Sequence, residues 1–169
     1  MKIRELSPKD VNIWLPLRLE ALERLPENFL TSLETEIARP KSDQEARLAN
    51  GCFWGGFKND TLCGIIAMDQ SMDDGCRHRG EITSFYVCAD ARGTGLGRAM
   101  LDHVSGIAAA NGILQLELQV ARTNTQAIRF YEAAGYVTFG TLPRQVLRER
   151  GAETDLFMVR FLDGFQDHA

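Results

Sequence analysis

The chain has 169 residues, 44% of them apolar, 25% charged and 8% aromatic. That length suits one hydrophobic core burying roughly two thirds of the unfolded surface, so a single domain is expected. With 19 Lys and Arg against 23 Asp and Glu the net charge is -4, so no overall basic field holds a polyanion and no nucleic-acid partner is expected, although a small anionic ligand needs only a local site.

Met1, Lys2, Arg4 and Glu5 put charges where a secretory leader needs an apolar run, and no stretch of about 18 uncharged apolar residues occurs. A soluble, cytoplasmic protein with no membrane partner is the expectation. Cys52, Cys63, Cys76 and Cys88 stand singly, with no C-x-x-C pair, and read as free thiols packed like small hydrophobes. His78, His103 and His168 have no ligand spacing among themselves or with the cysteines, so each reads as a surface or loop residue and no metal is expected.

Ser7, Pro8 and Asp10 announce a helix start, with a cap hydroxyl, a proline at the first helical position and an acid three residues after the cap. Leu15, Leu19, Leu22 and Leu25 continue at helical spacing, but Pro16 lacks the donor a helix interior needs, which predicts a kink or restart and leaves one helix or two equally open. Pro26 stops that segment, and residues 42–50 read as a short helix closed by Gly51.

Residues 52–58 (CFWGGFK) and 61–68 (TLCGIIAM) are β-rich runs separated by Asn59 and Asp60, the signature of an antiparallel hairpin. Residues 70–79, with Asp73, Asp74 and Gly75, lack periodicity and read as a loop. Residues 81–88 (EITSFYVC) read as a strand, and 94–110 as a helix with Leu96, Met100, Val104 and Ala108 on one stripe and Arg98 and Asp102 elsewhere. In 114–120, Leu114, Leu116, Leu118 and Val120 alternate with Gln115, Glu117 and Gln119, a period-2 strand. Asn124 is a plausible cap for a helix that Gly135 ends, and 136–141 and 156–162 read as closing strands. The order predicts an α/β (α+β) domain with a mixed sheet: helices, a hairpin, then a β-α-β-α-β run.

The most informative segment is Arg92, Gly93, Thr94, Gly95, Leu96, Gly97 and Arg98, between the predicted strand and helix. Glycines let the backbone turn tightly and approach a ligand, while the N–H groups of a helix start point at an anion, which suits a phosphate or pyrophosphate. A Walker loop is excluded because no G-x-x-x-x-G-K-[ST] string occurs, and a dinucleotide fingerprint from Gly93 would need glycine where Arg98 stands.

The string R-x-x-G-x-G formed by Arg92, Gly95 and Gly97, preceded by SFYV and followed by RAML, resembles the coenzyme A loop of the GNAT family of N-acetyltransferases. IREL at 3–6 and LRLEAL at 17–22 look like that family's first strand and helix. Residues 116–120 followed by Asn124, Ala127, Tyr131, Gly135 and Tyr136 resemble its L-x-V-x-x-x-N-x-x-A-x-x-x-Y-x-x-x-G-[FY] segment. Asp155 and Met158 resemble its closing D-x-x-x-M strand, one residue shorter than usual.

The resemblance, which extends over nearly the whole chain, implies a GNAT-type mixed, mostly antiparallel central sheet with a splayed strand pair, flanked by helices. Acetyl-CoA would lie where strand 81–88 splays from strand 114–120. The N–H groups of Gly93, Thr94, Gly95, Leu96, Gly97 and Arg98 would bind the pyrophosphate, with Arg92 and Arg98 adding charge. The main chain of Phe85, Tyr86 and Val87 would pair with the pantetheine arm, the Val87 N–H donating to the thioester oxygen. Tyr131 would give a proton to the departing sulfur, and Asn124 would contact the cofactor or only cap its helix. For the general base Glu81 is the first choice and Glu117 the second. Asp69, Asp73 and Asp74 could attract a cationic substrate, and His78 could line the acceptor site, although a solvated loop explains all four. The implied activity is direct transfer of an acetyl group to a primary amine on a small molecule or peptide, a small cationic amine being slightly favoured, by a monomer or homodimer. Acceptor choice would lie in the N-terminal helices, the 70–79 loop and the last hairpin. The alternatives are an acyltransferase using another acyl-CoA and a non-catalytic CoA-binding sensor.

Overall fold

A computed structural model describes residues 1–148 and 151–165, so His168 lies outside the described residues. Among the described residues seven strands form one sheet in the order β1-β2-β3-β4-β5-β7-β6. The chain divides into two compact units, Met1–Asp69 with Ile82–Gly106, and Gln70–Glu81 with the chain from Ile107 on.

In the first unit β1 (Lys2–Glu5) pairs antiparallel with β2 (Phe53–Lys58). A 3₁₀ turn at Pro8–Asp10 leads into α1 (Val11–Arg24). The Asp10 carboxylate accepts the Ser7 N–H and hydroxyl, each at 2.9 Å, and the Arg4 guanidinium forks onto it at 2.6 and 3.0 Å, so the expected helix start forms.

Pro16 does not break the helix, which is continuous across it. The carbonyl that loses its donor belongs to Asn12, and both Pro16 and Asn12 are exposed, so water can satisfy it. The buried residues lie on both sides of the proline, Val11 and Trp14 before, Leu17, Ala21 and Leu22 after. Burying such side chains stabilises by roughly 1.5–3 kcal/mol each, against about 3 kcal/mol for an interior proline. Leu15 and Leu19 are half-buried, so the core stripe is centred on Trp14 rather than on the leucine series.

Two short helices follow, α2 (Leu33–Ala38), which the sequence pattern does not announce, and α3 (Lys41–Ala49). Strands β2 and β3 (Thr61–Gln70) form the expected hairpin, with Asn59 and Asp60 at φ 48 and 60, the paired positive values of a type I′ turn. Trp14, Leu17, Leu48, Phe53, Phe57, Ile65 and Tyr86 belong to this unit's core.

Strand β4 (Arg79–Val87) leads through a 3₁₀ turn at Ala89–Ala91 to α4 (Leu96–Ala110). Leu96, Met100, Val104 and Ala108 are buried as the stripe requires, while Arg98 and Asp102 pair on the exposed side at 2.7 Å. Gly56 and Gly64 face each other in the hairpin, and Met100 of α4 lies over them. A Cβ on Gly64 would stand 2.6 Å from the Met100 sulfur.

In the second unit residues Arg79, Gly80 and Glu81 of β4 pair parallel with Gln115, Leu116 and Glu117 of β5 (Gln115–Ala121). That ladder holds three pairs, while β4 runs on to Val87. Strand β5 pairs antiparallel with β7 (Gly151–Phe161), and β7 with β6 (Val137–Arg148). Leu116, Leu118 and Val120 are buried as predicted, but Leu114 is 44% exposed and Ile113 takes the buried place before β5. The closing strands are longer than 136–141 and 156–162. Pro143 and Arg144, the latter at φ 58, fall inside a register shift between Leu142 and Val146. An edge strand tolerates that irregularity because its outer side needs no ladder partner. Helix α5 (Thr125–Ala133) lies between β5 and β6. Among the described residues no helix is long and apolar enough to cross a membrane.

Gly64→Val should destabilise the protein by about 1–3 kcal/mol, because the added carbons displace the buried Met100 side chain and crowd the Tyr86 carbonyl, 3.3 Å from where a Cβ would stand. Chemical denaturation checks this, and an unchanged midpoint would mean that α4 does not depend on this contact.

Candidate functional site

The glycine loop follows from its local chemistry. Thr94 Oγ1 donates to the Ala91 carbonyl at 2.7 Å, and Gly93 and Gly95 adopt φ 72 and 86, values that residues with a Cβ rarely take. No atom lies within 4 Å of where a Cβ on either would stand, so the turn is open on that side. The Gly95 carbonyl accepts the Ala99 N–H at 3.0 Å, which starts the helix with Leu96 buried and Gly97 half-buried. The first-turn N–H groups of a helix lack intrahelical acceptors and carry the positive end of its dipole. The loop can therefore cradle a pyrophosphate.

Strand β4 enters this loop with a feature that sequence reasoning missed. Ser84 has φ 50, a left-handed conformation inside a strand that costs on the order of 1–3 kcal/mol and re-aims the groups after it, Phe85, Tyr86 and Val87. No sequence signal marks it, since serine carries no preference for that conformation. The Tyr86 hydroxyl donates to Glu20 at 2.9 Å, and burial followed by that bond pushes its pKa up to about 12. Arg92 Nε donates to the Val87 carbonyl at 2.9 Å, and its guanidinium lies 5.5 Å over the Tyr86 ring. The strand end and the loop are thus tied together through Arg92. Arg98 Nε donates to the Asp102 carboxylate at 2.7 Å.

In the second unit the two candidate bases are neighbours, Glu81 and Glu117 being Cα partners in the parallel ladder. Their surroundings differ. Arg79 grips Glu117 with both arms, Nε to Oε1 and Nη2 to Oε2 at 2.6 Å each, and Gln115 Nε2 donates to Oε1 at 2.7 Å. Arg79 is the first cause holding the Glu117 carboxyl below the usual range, and Gln115 adds to it against the effect of burial. Glu81 accepts a longer bond from Gln119 Nε2 at 3.2 Å, and Gln119 in turn accepts from Gln145 of β6 at 2.9 Å.

Asn124 caps α5, its Oδ1 accepting the Ala127 N–H at 3.1 Å. Seven residues on, Tyr131 sits where the helix ends. Gly135 at φ 89 closes the helix, the Tyr136 N–H reaches the Tyr131 carbonyl at 3.0 Å and the Gly135 N–H the Glu132 carbonyl at 2.9 Å, the Schellman pattern. The Tyr131 and Tyr136 rings meet edge to face at 5.6 Å. Burial pushes the Tyr131 phenol above the ordinary tyrosine value, so it holds its proton at neutral pH.

Of the remaining candidates, Asp69 accepts the Thr83 hydroxyl at 3.1 Å, Asp74 pairs with Arg77 at 2.8 Å, and Asp73 precedes the 3₁₀ turn Asp74–Cys76. His78 contributes its carbonyl to the Leu114 N–H at 2.8 Å. All four cysteines are free and half-buried, and among the described residues no group of three or more His, Cys, Asp and Glu converges as a metal site.

The model of the acetyltransferase (GNAT) family matches residues 16–136. A mycothiol acetyltransferase of Thermobispora bispora is 31% identical over 144 residues, covering 80% of this chain and 46% of its own length. The catalytic subunit of the N-terminal acetyltransferase B complex of Schizosaccharomyces pombe is 28% identical over 104 residues, 62% of this chain and 57% of that protein. The chain thus spans about half the length of these curated relatives. A Salmonella typhimurium protein solved with its cofactor acetyl-CoA shares the fold at a TM-score of 0.78 and 20% identity, over 100% of this chain and 98% of that one.

Because the folded pKa of Glu117 is lowered, the stability it contributes is present above the unfolded glutamate value near 4.3 and is lost as pH falls through the folded value. The stability gap between wild type and Arg79→Gln should therefore be full at neutral pH and shrink on acidification. A gap independent of pH between 6 and 3 would show that the pair does not set the Glu117 titration.

Proposed function

Because the chain belongs to the GNAT family of acetyltransferases, we propose that it moves an acetyl group from acetyl-CoA to a primary amine by direct transfer. The observation that carries this furthest is the loop in which Gly93 and Gly95 stand at positive φ, open on one side, before a 15-residue helix. In this assignment the N–H groups of residues 93–98 hold the pyrophosphate, and the main chain of Phe85, Tyr86 and Val87 receives the pantetheine arm. Acetyl-CoA supplies an activated acetyl thioester. The Val87 N–H is assigned to the thioester oxygen, where negative charge grows as the amine attacks. Arg92, bound to the Val87 carbonyl, keeps strand end and loop in register, and Asn124 orients the start of the helix that carries Tyr131.

The amine nitrogen forms a bond to the acetyl carbon, the carbon–sulfur bond breaks, and the sulfur leaves with the Tyr131 proton. The second proton shed by the nitrogen as it becomes an amide returns the phenol to its protonated form through water. Tyr131 suits this because desolvation keeps it protonated. An ammonium has no lone pair, so a base must first take its proton, directly or through water. Glu81 is assigned that role in preference to Glu117, since a carboxylate gripped by Arg79 and held at a lowered pKa is a weak base. The whole chain would act as one catalytic domain, in the cytoplasm, where four free thiols stay reduced. The acceptor would be a small molecule or a peptide, and the net charge of -4 slightly favours a small cationic amine.

Saturating acetyl-CoA should raise the melting temperature by several degrees and an unrelated nucleotide should not; the reverse result removes the assignment of the loop. Thiol release over a panel of amines then identifies the acceptor, longer acyl thioesters in competition test the acyl group, and no release with any amine would favour a CoA sensor. Tyr131→Phe should lower kcat by about 10²–10⁴-fold with little change in acetyl-CoA affinity, and unchanged turnover would remove it as the acid. Glu81→Gln should abolish the acid limb of the pH-rate profile, whereas Glu117→Gln should leave it, and the opposite pattern would exchange the two roles.

A further inference from the structure

The face of α1 that meets α2 and α3 gathers more positive charge than it can neutralise. Glu36 of α2 is fully buried and is approached by three arginines, Arg47 Nη1 at 2.8 Å, Arg18 Nε at 3.4 Å and Arg39 Nε at 3.8 Å. Gln44 Nε2 donates to the same carboxylate at 2.7 Å. One carboxylate against three guanidiniums leaves a formal charge of +2, and Arg18 is only 3% exposed. Two of these guanidiniums carry buried nitrogens with no acceptor, Arg18 Nη1 and Arg39 Nε, and Trp14 Nε1, one turn before Arg18 on α1, is a third such donor. The cluster is held by its walls: Arg18 lies 4.9 Å over the Phe29 ring, and Arg47 lies 5.2 Å over Trp14 and 5.6 Å over Phe53.

A buried donor without an acceptor and a buried charge without a counter-charge are both costly, and arginine cannot escape by losing its proton. Burial pushes the Arg18 pKa down and Arg47 and Arg39 push the same way, against Glu36. Burial pushes the Glu36 carboxyl up, but Gln44 and the three arginines outweigh it and hold it below its usual value. Guanidiniums keep their charge in proteins, so what the cluster lacks is one more anion. Arg39 and Arg47 keep 34% and 27% of their side-chain surface exposed, so the cluster meets solvent through them.

We propose that Arg18, Arg39 and Arg47, oriented by Glu36 and Gln44, form a binding site for one carboxylate group. A carboxylate fits because its two oxygens match a guanidinium fork and supply acceptors of the kind that Arg18 Nη1 and Arg39 Nε lack. Binding would halve the formal charge of the cluster. None of these side chains is assigned a part in acetyl transfer, so the site stands or falls without acetyl-CoA.

The test is thermal unfolding of the full chain, without acetyl-CoA, in sodium acetate against sodium chloride at equal ionic strength. A parallel series uses glycylglycine, whose carboxylate is borne on a peptide. Acetate should raise the melting temperature saturably, by roughly 5–10 °C at a hundredfold excess over Kd. A shift with acetate alone identifies a free small anion, and a shift with both identifies the carboxylate of a larger molecule. Arg39→Gln, at a partly exposed position, should weaken acetate binding about tenfold. Glu36→Gln, if it folds, should be rescued more by acetate than wild type is stabilised. Equal behaviour in acetate, glycylglycine and chloride, or the same acetate affinity in wild type and Arg39→Gln, overturns the site.

Discussion

The close approach of α4 to the β2–β3 hairpin governs where the glycine loop can be. Gly56 and Gly64 face each other in that hairpin, and the space their missing side chains leave is filled by Met100, while Leu96, one turn earlier, stands 3.0 Å from where a Gly56 Cβ would be. The helix cannot slide without opening a void or colliding with backbone, and its first turn, with the outward N–H groups, is set down with it. From the other side, β4 is tied to the loop by the Arg92 bond to the Val87 carbonyl and anchored to α1 by the Tyr86 bond to Glu20. Two independent sets of contacts thus position a segment that by composition alone would be the most flexible in the unit.

In the second unit two neighbouring glutamates sit in different electrostatic surroundings. Glu81 and Glu117 occupy the same register position on adjacent parallel strands, and alternation puts Arg79 on the same face of β4 as Glu81. Arg79 reaches across the ladder to Glu117, while Glu81 accepts from the amide of Gln119 at 3.2 Å. Of the two, Glu117 is the one that Arg79 grips, and its carboxyl is held below the usual range by that pairing. The same reasoning applied to Glu36 gives the opposite imbalance, three guanidiniums around one carboxylate, and a cluster still short of acceptors.

Features that depend on neighbours in the chain were legible from the sequence. The Ser7 and Asp10 start, the Asn59 and Asp60 turn, the Asn124 cap, the Gly135 stop and the positive-φ glycines of the loop all formed where local chemistry put them. Features that depend on distant partners were not legible. Pro16 leaves one helix or two equally open when read locally, and the burial of Trp14 on one side and Leu17 and Ala21 on the other goes with a single helix. The closing hairpin runs past Pro143 because β6 is an edge. Ser84 adopts a glycine-like conformation that no serine announces.

For the candidate site, the residues themselves determined a glycine turn opening a helix and an arrangement of motifs resembling acetyltransferases, since turn geometry, capping and periodicity act over a few residues and are written in residue type. Tertiary structure alone decided that Glu117 is held by Arg79, 38 positions away, and that Arg18, Arg39 and Arg47 converge on Glu36 across 18 positions or fewer. Charge pairing acts through space, so a sequence names the ions while only the fold selects which of them meet and which is left without a partner.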